Sequence, residues 1–221
     1  MKIKAYIVSC LCLFTIFSCS KESTDNVSSV TIFPQINLLG NPIINLEQGK
    51  TFIDPGVNAN INGVKTEHEV NSNVDSNKTG FYTINYSVKN TDGFEAKTSR
   101  TVIVYQNNNT IAGVYSGRRL DKGIESPILI TSNTDGSFTC TDIAGGYYEQ
   151  STNQFGPAFG ADAIINLDTT NNINSPGSVI DFGPIAMSNG RVSMDKKTLN
   201  WTVTLTDFDF SFDVELIKVT P

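Results

Sequence analysis

The chain is poor in the side chains that most often carry chemistry. Histidine occurs once, at His68, and beyond the first nineteen residues cysteine occurs once, at Cys140. Zinc clusters of Cys and His are thereby excluded, and a Ser-His-Asp triad would have to use His68 itself. His68 lies between Glu67 and Glu69 on an alternating segment, so a solvent-facing strand position is expected. No intramolecular disulfide is possible past Cys19. Cys140 alternates with Phe138, which predicts a small buried apolar side chain rather than a reactive thiol.

Positive charge is also scarce, with 16 basic against 22 acidic residues. Without Lys2 and Lys4 the balance is 14 against 22, or about −8. That disfavours nucleic acid and anionic lipid surfaces, which attract clustered Lys and Arg. No nucleophile motif is present, and no spacing singles out two carboxylates as a glycosidase pair. The expectation is a protein that is not an enzyme, with no cofactor, no metal and no nucleic-acid partner. No apolar run approaches the roughly 20 residues of a membrane-spanning helix.

What is present starts at the N-terminus, in MKIKAYIVSCLCLFTIFSC. Lys2 and Lys4 precede an apolar run from Ala5 to Phe17 broken only by Ser9 and Thr15, the layout of a secretion signal. Three cysteines compete as its end. Cleavage before Cys10 would leave too short an apolar segment, and Cys12 follows the bulky Leu11. Cys19 follows Ser18 where the apolar run stops, with Ile16 three residues before it. This resembles the lipobox of bacterial lipoproteins and implies that Cys19 is the lipid-attachment residue, anchoring the chain to the membrane. The alternative is an ordinary cleaved signal with Cys19 merely nearby. Residues 1–18 are then the signal peptide, and 19–28 a polar tether without apolar periodicity.

The remainder reads as all-β, in two parts. Over 29–106, short alternating apolar runs are separated by turn residues, and no amphipathic helix of useful length occurs. In Phe81–Lys89, Tyr82, Ile84, Tyr86 and Val88 share one face of a half-buried strand. Asn90-Thr91-Asp92-Gly93 and Asp54-Pro55-Gly56 are turns. Other strands are expected at Val30–Leu38, Ile43–Leu46, Val64–Val70 and Glu95–Tyr105. About seven strands at this spacing suggest an immunoglobulin-like β-sandwich, with Gly80 and Tyr82 placed as in a tyrosine corner. The strings GKTFIDPGV (Gly49 to Val57), GFYTINYSV, NTDG and RTVIV are similar to the bacterial surface-protein Ig-like domain, also found in pesticidal crystal proteins. The resemblance implies a surface location and an accessory or spacer role, with no catalytic residues.

The polar stretch Gln106–Asn109 marks a boundary, and 110–221 reads as a second compact β domain, a barrel or a sandwich. Eight strands are expected, among them Val179–Ala186, Gly190–Met194 and Leu199–Thr206. Phe208, Phe210, Phe212, Val214 and Leu216 alternate with polar residues, while Trp201, Val203 and Leu205 have the opposite parity. A bulge or tight turn near Thr206-Asp207 is therefore required. Two polar or Gly-rich inserts, GGYYEQSTNQFGPAFG and DTTNNINSPG, read as loops. AGVYSG, GGYY and NWTV resemble the C-terminal domains of Bacteroidetes surface lipoproteins, whose company in glycan-utilisation loci implies work with polysaccharides.

Loops on a rigid β scaffold commonly carry binding. Tyr147, Tyr148, Phe155 and Phe159 in the first insert could form an aromatic platform for sugar rings, with Glu149, Gln150 and Asn153 beside it for hydroxyls. The competing reading has these rings folded onto their own domain. The row Asp207, Asp209, Asp213 and Glu215 could offer oxygens to calcium, but a strand spreads them along a line, so a solvated face is expected. Asp168-Thr169-Thr170 resembles a short O-glycosylation signal of exported proteins. Taken together, the sequence predicts an outer-membrane, surface-exposed lipoprotein that binds glycan without catalysis. A structural or adhesive protein with a surface-protein partner is the second reading, and an exported hydrolase the third.

Overall fold

The computed structural model describes residues 30–150 and 155–220, so Cys19, the signal, the tether and Asn153 lie outside it. Within that range it is all-β, as the alternation predicts. The first seven strands are β1 (Pro34–Leu38), β2 (Ile43–Glu47), β3 (Val57–Ile61), β4 (Val64–Lys65), β5 (Glu69–Ser72), β6 (Gly80–Lys89) and β7 (Glu95–Tyr105). One sheet has the order β1-β3-β4, and the other β2-β7-β6-β5. Strand β2 runs parallel to β7, and the other pairings are antiparallel. Between the sheets Val57, Ile84, Tyr86, Val102 and Val104 form the core, which Leu38 and Phe52 help to close. The expected strand at Val64–Val70 is two short ones, β4 and β5, separated by Thr66–His68. His68 is half-buried, 6.4 Å from the Tyr86 ring.

The turn at Asp54-Pro55-Gly56 has a chemical reason to carry those residues. Asp54 accepts the Gly56 N–H at 3.1 Å and the Tyr86 hydroxyl at 2.7–2.8 Å, while Gly56 takes a φ of +75°. The buried Arg100 guanidinium lies 3.4 Å from the Asp54 carboxylate and donates to the Leu39 and Gly56 carbonyls. A charge-assisted cluster thus joins the turn to both sheets. The tyrosine corner is also formed, with the Tyr82 hydroxyl donating to the Lys78 carbonyl at 2.7 Å.

The remaining strands are β8 (Gly113–Arg119), β9 (Glu125–Ser132), β10 (Phe138–Cys140), β11 (Ala163–Leu167), β12 (Asn172–Asn174), β13 (Ser178–Ile180), β14 (Gly183–Val192), β15 (Thr198–Leu205) and β16 (Phe210–Lys218). The order β12-β11-β10-β9-β8-β16-β15-β14 closes on itself where β12 also pairs with β14, making an eight-stranded barrel with β13 outside the ring. Its interior is filled by side chains, including Trp201, Tyr115, Ile128, Ile165 and Leu216. Cys140 is fully buried there, and burial pushes its thiol up to about 12. Among the described residues no helix is long and apolar enough to cross a membrane.

Three differences from the sequence reading stand out. The insert DTTNNINSPG is not all loop, because it contains β12, the strand that closes the barrel. Its only apolar side chain, Ile173, is buried. Closure needs Gly190, since a Cβ there would lie 2.3 Å from the Ile173 carbonyl oxygen. The strands expected at Val179–Ala186 and Gly190–Met194 are instead the outlying β13 and one continuous β14, which carries a bulge between Ser188 and Arg191. The parity change near Thr206 is a 3₁₀ turn over Thr206–Phe208, ended by Asp209 at φ +47°. Phe212, Val214 and Leu216 point inward after it, but Phe208 and Phe210 are left exposed at the barrel end.

Residues 106–109 are tied to the barrel. The Gln106 side-chain oxygen accepts the Ser132 N–H at 2.8 Å, and the Asn108 amide donates to the Ser132 hydroxyl at 3.2 Å. Ile103, Tyr105, Val114 and Leu129 form one buried apolar cluster with Phe81 packed on it, so the sandwich and barrel are in contact.

Candidate functional site

The feature that collects the most unusual side chains is one end of the barrel. The chain approaches it through Asp142-Ile143-Ala144-Gly145-Gly146, a buried crossing. Asp142 accepts the Ala144 N–H at 2.6 Å, and the Ile143 carbonyl accepts the Trp201 indole N–H at 2.6 Å. A Cβ on Gly146 would come within 2.4 Å of the Ser126 side chain, so only glycine lets the backbone pass. The short helix α1 (Tyr147–Gln150) follows, and then a 3₁₀ turn over Pro157–Phe159. Asp181 N–H donates to the Ala158 carbonyl at 3.1 Å and ties that turn to the segment leading into β14.

These segments bring eight aromatic rings together with one arginine. Phe182 is central, with ring centroids 4.6 Å from Phe159, 5.4 Å from Phe155, 5.5 Å from Tyr148 and 6.4 Å from Phe208. Arg119 is buried at the end of β8, its guanidinium 4.3 Å from the Phe212 ring, 4.9 Å from Phe210 and 5.1 Å from Tyr147. Asp121 takes it bidentately at 2.7 and 2.8 Å, and a third donor reaches the Tyr148 hydroxyl at 3.0 Å. The Arg119 hydrogen bonds hold the Asp121 carboxyl below the usual carboxylate range. Arg119 is thus the pin that fixes the ring cluster on the barrel.

Of the four residues singled out from the sequence, Tyr148 is buried under the cluster and offers no open face. Tyr147 and Phe159 are half-buried, and Phe155 is 52% exposed. Phe208, at 63%, and Phe210, at 41%, extend the same surface from β16 and the turn before it. In the sequence those two continue the alternation of Phe212, Val214 and Leu216, and Phe182 and Arg119 belong to no motif. The signal for them was weak, because rings from four separate segments meet only once the barrel has closed. Of the polar neighbours, Glu149 lies beside Gly160 and is within 3.4 Å of the Gln150 amide.

Two members of the acidic row have protein partners, while Asp207 and Asp209 are exposed in and after the 3₁₀ turn. Glu215 binds Arg118 at 2.6 and 3.0 Å, and Asp213 accepts the Thr202 hydroxyl at 2.8 Å. Among the described residues no three of His, Cys, Asp or Glu come together as a metal site.

Residues 36–104 match the bacterial surface protein Ig-like domain, and residues 105–218 match the model of a C-terminal domain family. The chain belongs to the family defined by that C-terminal domain, with the Ig-like domain ahead of it. The crystal structure of the lipoprotein BT2262 from Bacteroides thetaiotaomicron is similar, at 27% identity and a TM-score of 0.68, covering 84% of this chain and 100% of that one. A structure of CBM51-2 in complex with GlcNAc and INT domains, from Clostridium perfringens ZmpB, aligns over 83% of this chain and 43% of its own at 15% identity. Its TM-score of 0.29 is too low to carry an argument. No curated protein matches the chain.

Proposed function

We propose that this protein is a lipid-anchored outer-membrane lipoprotein, held at Cys19, that presents the aromatic end of its barrel to glycan at the cell surface without catalysing a reaction. The observation that carries the reading is the contiguous exposed surface of Phe155, Phe208 and Phe210, with Tyr147, Phe159 and Phe182 between them. Exposed apolar surface that a soluble fold has not buried marks an interaction site. Flat aromatic faces suit the apolar faces of sugar rings, and the buried Arg119 holds them in place before a ligand arrives. Tyr148 now serves as a support rather than as a contact. The similarity to a Bacteroides lipoprotein and to a bacterial surface domain supports the address, and the signal-like N-terminus supports the anchor. With its contact to the barrel, the Ig-like domain acts as a stiff spacer that carries the ring surface away from the membrane.

Affinity electrophoresis of residues 20–221 through gels holding a panel of polysaccharides tests the reading. Retardation by at least one polymer is expected, with Phe155→Ala/Phe208→Ala weakening it about tenfold or more, equivalent to about 1.4 kcal/mol. Unretarded migration on every polymer would remove glycan binding and leave an adhesive protein-binding role. Metabolic labelling with palmitate, compared with Cys19→Ser, checks the anchor: label that persists in the variant would contradict it.

A further inference from the structure

We infer that this ring surface selects uncharged glycan chains and rejects acidic ones, an inference that rests on the platform reading above. What carries it is the charge around the rings. Asp207 and Asp209 flank Phe208, Asp181 precedes Phe182, and all three are exposed. Glu149, half-buried, stands by the turn that carries Phe159; a Cβ on Gly160 would lie 2.9 Å from its Oε2. Asp207 reaches over the start of β14, where a Cβ on Gly183 would lie 2.5 Å from its Oδ2. Four carboxylates therefore stand around one aromatic surface.

The cations at this end do not offset them. Arg119 gives Nε and Nη2 to Asp121 and Nη1 to Tyr148, and is 5% exposed. Arg118, the neighbour of Arg119 on β8, is paired with Glu215 and Glu125, and Lys122 stands beside Asp121. A sugar settling on the rings sheds water next to the carboxylates. A uronate or sulfate brought there would be desolvated against like charge with no guanidinium to receive it. A neutral sugar brings hydroxyl donors, and carboxylates are strong acceptors for them. The same four groups thus repel one class of glycan and hydrogen-bond the other.

Isothermal titration calorimetry of residues 20–221 separates the cases. The titrants are a mixed-linkage β-glucan, a galactomannan and an α-mannan on one side, and polygalacturonate and chondroitin sulfate on the other. A neutral polymer should bind with little change between low salt and roughly 0.3 M salt, where charges are largely screened. Acidic polymers should bind at least about tenfold more weakly at low salt, and Asp207→Asn/Asp209→Asn should narrow that gap. Acidic polymers that bind as tightly as neutral ones, and lose binding in Phe155→Ala/Phe208→Ala, would overturn the charge selection and leave the platform standing. Binding of either class that survives Phe155→Ala/Phe208→Ala would overturn the platform, and the selection with it. Absence of binding by all five polymers would overturn both.

Discussion

Asp142 should make the protein less stable as pH rises toward neutrality, and its replacement by asparagine should abolish that loss. The carboxyl is fully buried in the crossing that leads to α1. One oxygen accepts the Ala144 N–H, while Oδ2 has no hydrogen-bond partner among the described residues. Burial pushes the group up to about 7, with Glu149 adding to the rise and the Ala144 amide opposing it. In the unfolded chain the same carboxyl ionises near 3.9. Between those values the native state holds a proton that the unfolded state has released, so stability falls as pH rises from about 4 to about 7 and is level outside that window. About three pH units at 1.36 kcal/mol each give a loss of about 4 kcal/mol. Asparagine keeps the oxygen that accepts Ala144 and cannot ionise. Urea unfolding of wild type and Asp142→Asn at pH 4 and pH 7.5 reads the effect as a difference of differences. Carboxyls held low, such as Asp168, tilt stability the opposite way, but they do so equally in both proteins. The variant should gain up to about 4 kcal/mol on wild type across that interval. An offset that is the same at both pH values would refute the reasoning.

Three further outcomes follow from packing. Arg119→Met should cost about 1–2 kcal/mol in denaturant unfolding, because it removes the guanidinium packed on Phe212 and Phe210 and its bond to Tyr148, while Asp121 is left half-exposed to water; a change under about 0.5 kcal/mol would mean the pin is dispensable. Gly190→Ala should lower stability by about 1–3 kcal/mol through the clash with the Ile173 carbonyl, and should speed amide exchange at β12 in particular. Asp54→Ala should destabilise the Ig-like domain by about 3–5 kcal/mol, since it leaves the buried Arg100 uncompensated; calorimetry should show an earlier unfolding transition.

Much of the fold was legible because strands advertise themselves by period. The alternation in Phe81–Lys89 gave the face that is buried, and the opposite parities of Trp201–Leu205 and Phe212–Leu216 required the turn that the structure places at Thr206–Phe208. The GKTFIDPGV string could be recognised before its chemistry was known, and the chemistry is the Asp54–Tyr86–Arg100 cluster. Strand β12 was not legible, because three residues with one apolar side chain have no period, and its pairing is set by a distant glycine. The ring surface was half legible. Tyr147 and Phe159 lie in a Gly-rich insert that invites attention, whereas Phe208 and Phe210 continue a perfect core alternation. Phe208 lies in the 3₁₀ turn and Phe210 at the first position of β16, at the open end of the barrel, and a strand pattern does not mark where the barrel ends.

The central claim is that the aromatic end of the barrel is where ligand sits. Nuclear magnetic resonance of residues 20–221 with ¹³C-labelled phenylalanine rings tests it most directly, on titration with a polysaccharide that retards the protein. Signals of Phe155, Phe182, Phe208 and Phe210 should shift together, while Phe33 and Phe94, whose rings meet at 4.8 Å beside the Ig-like sandwich, stay still. Shifts confined to Phe33 and Phe94, or absent from Phe155 and Phe208, would contradict the account.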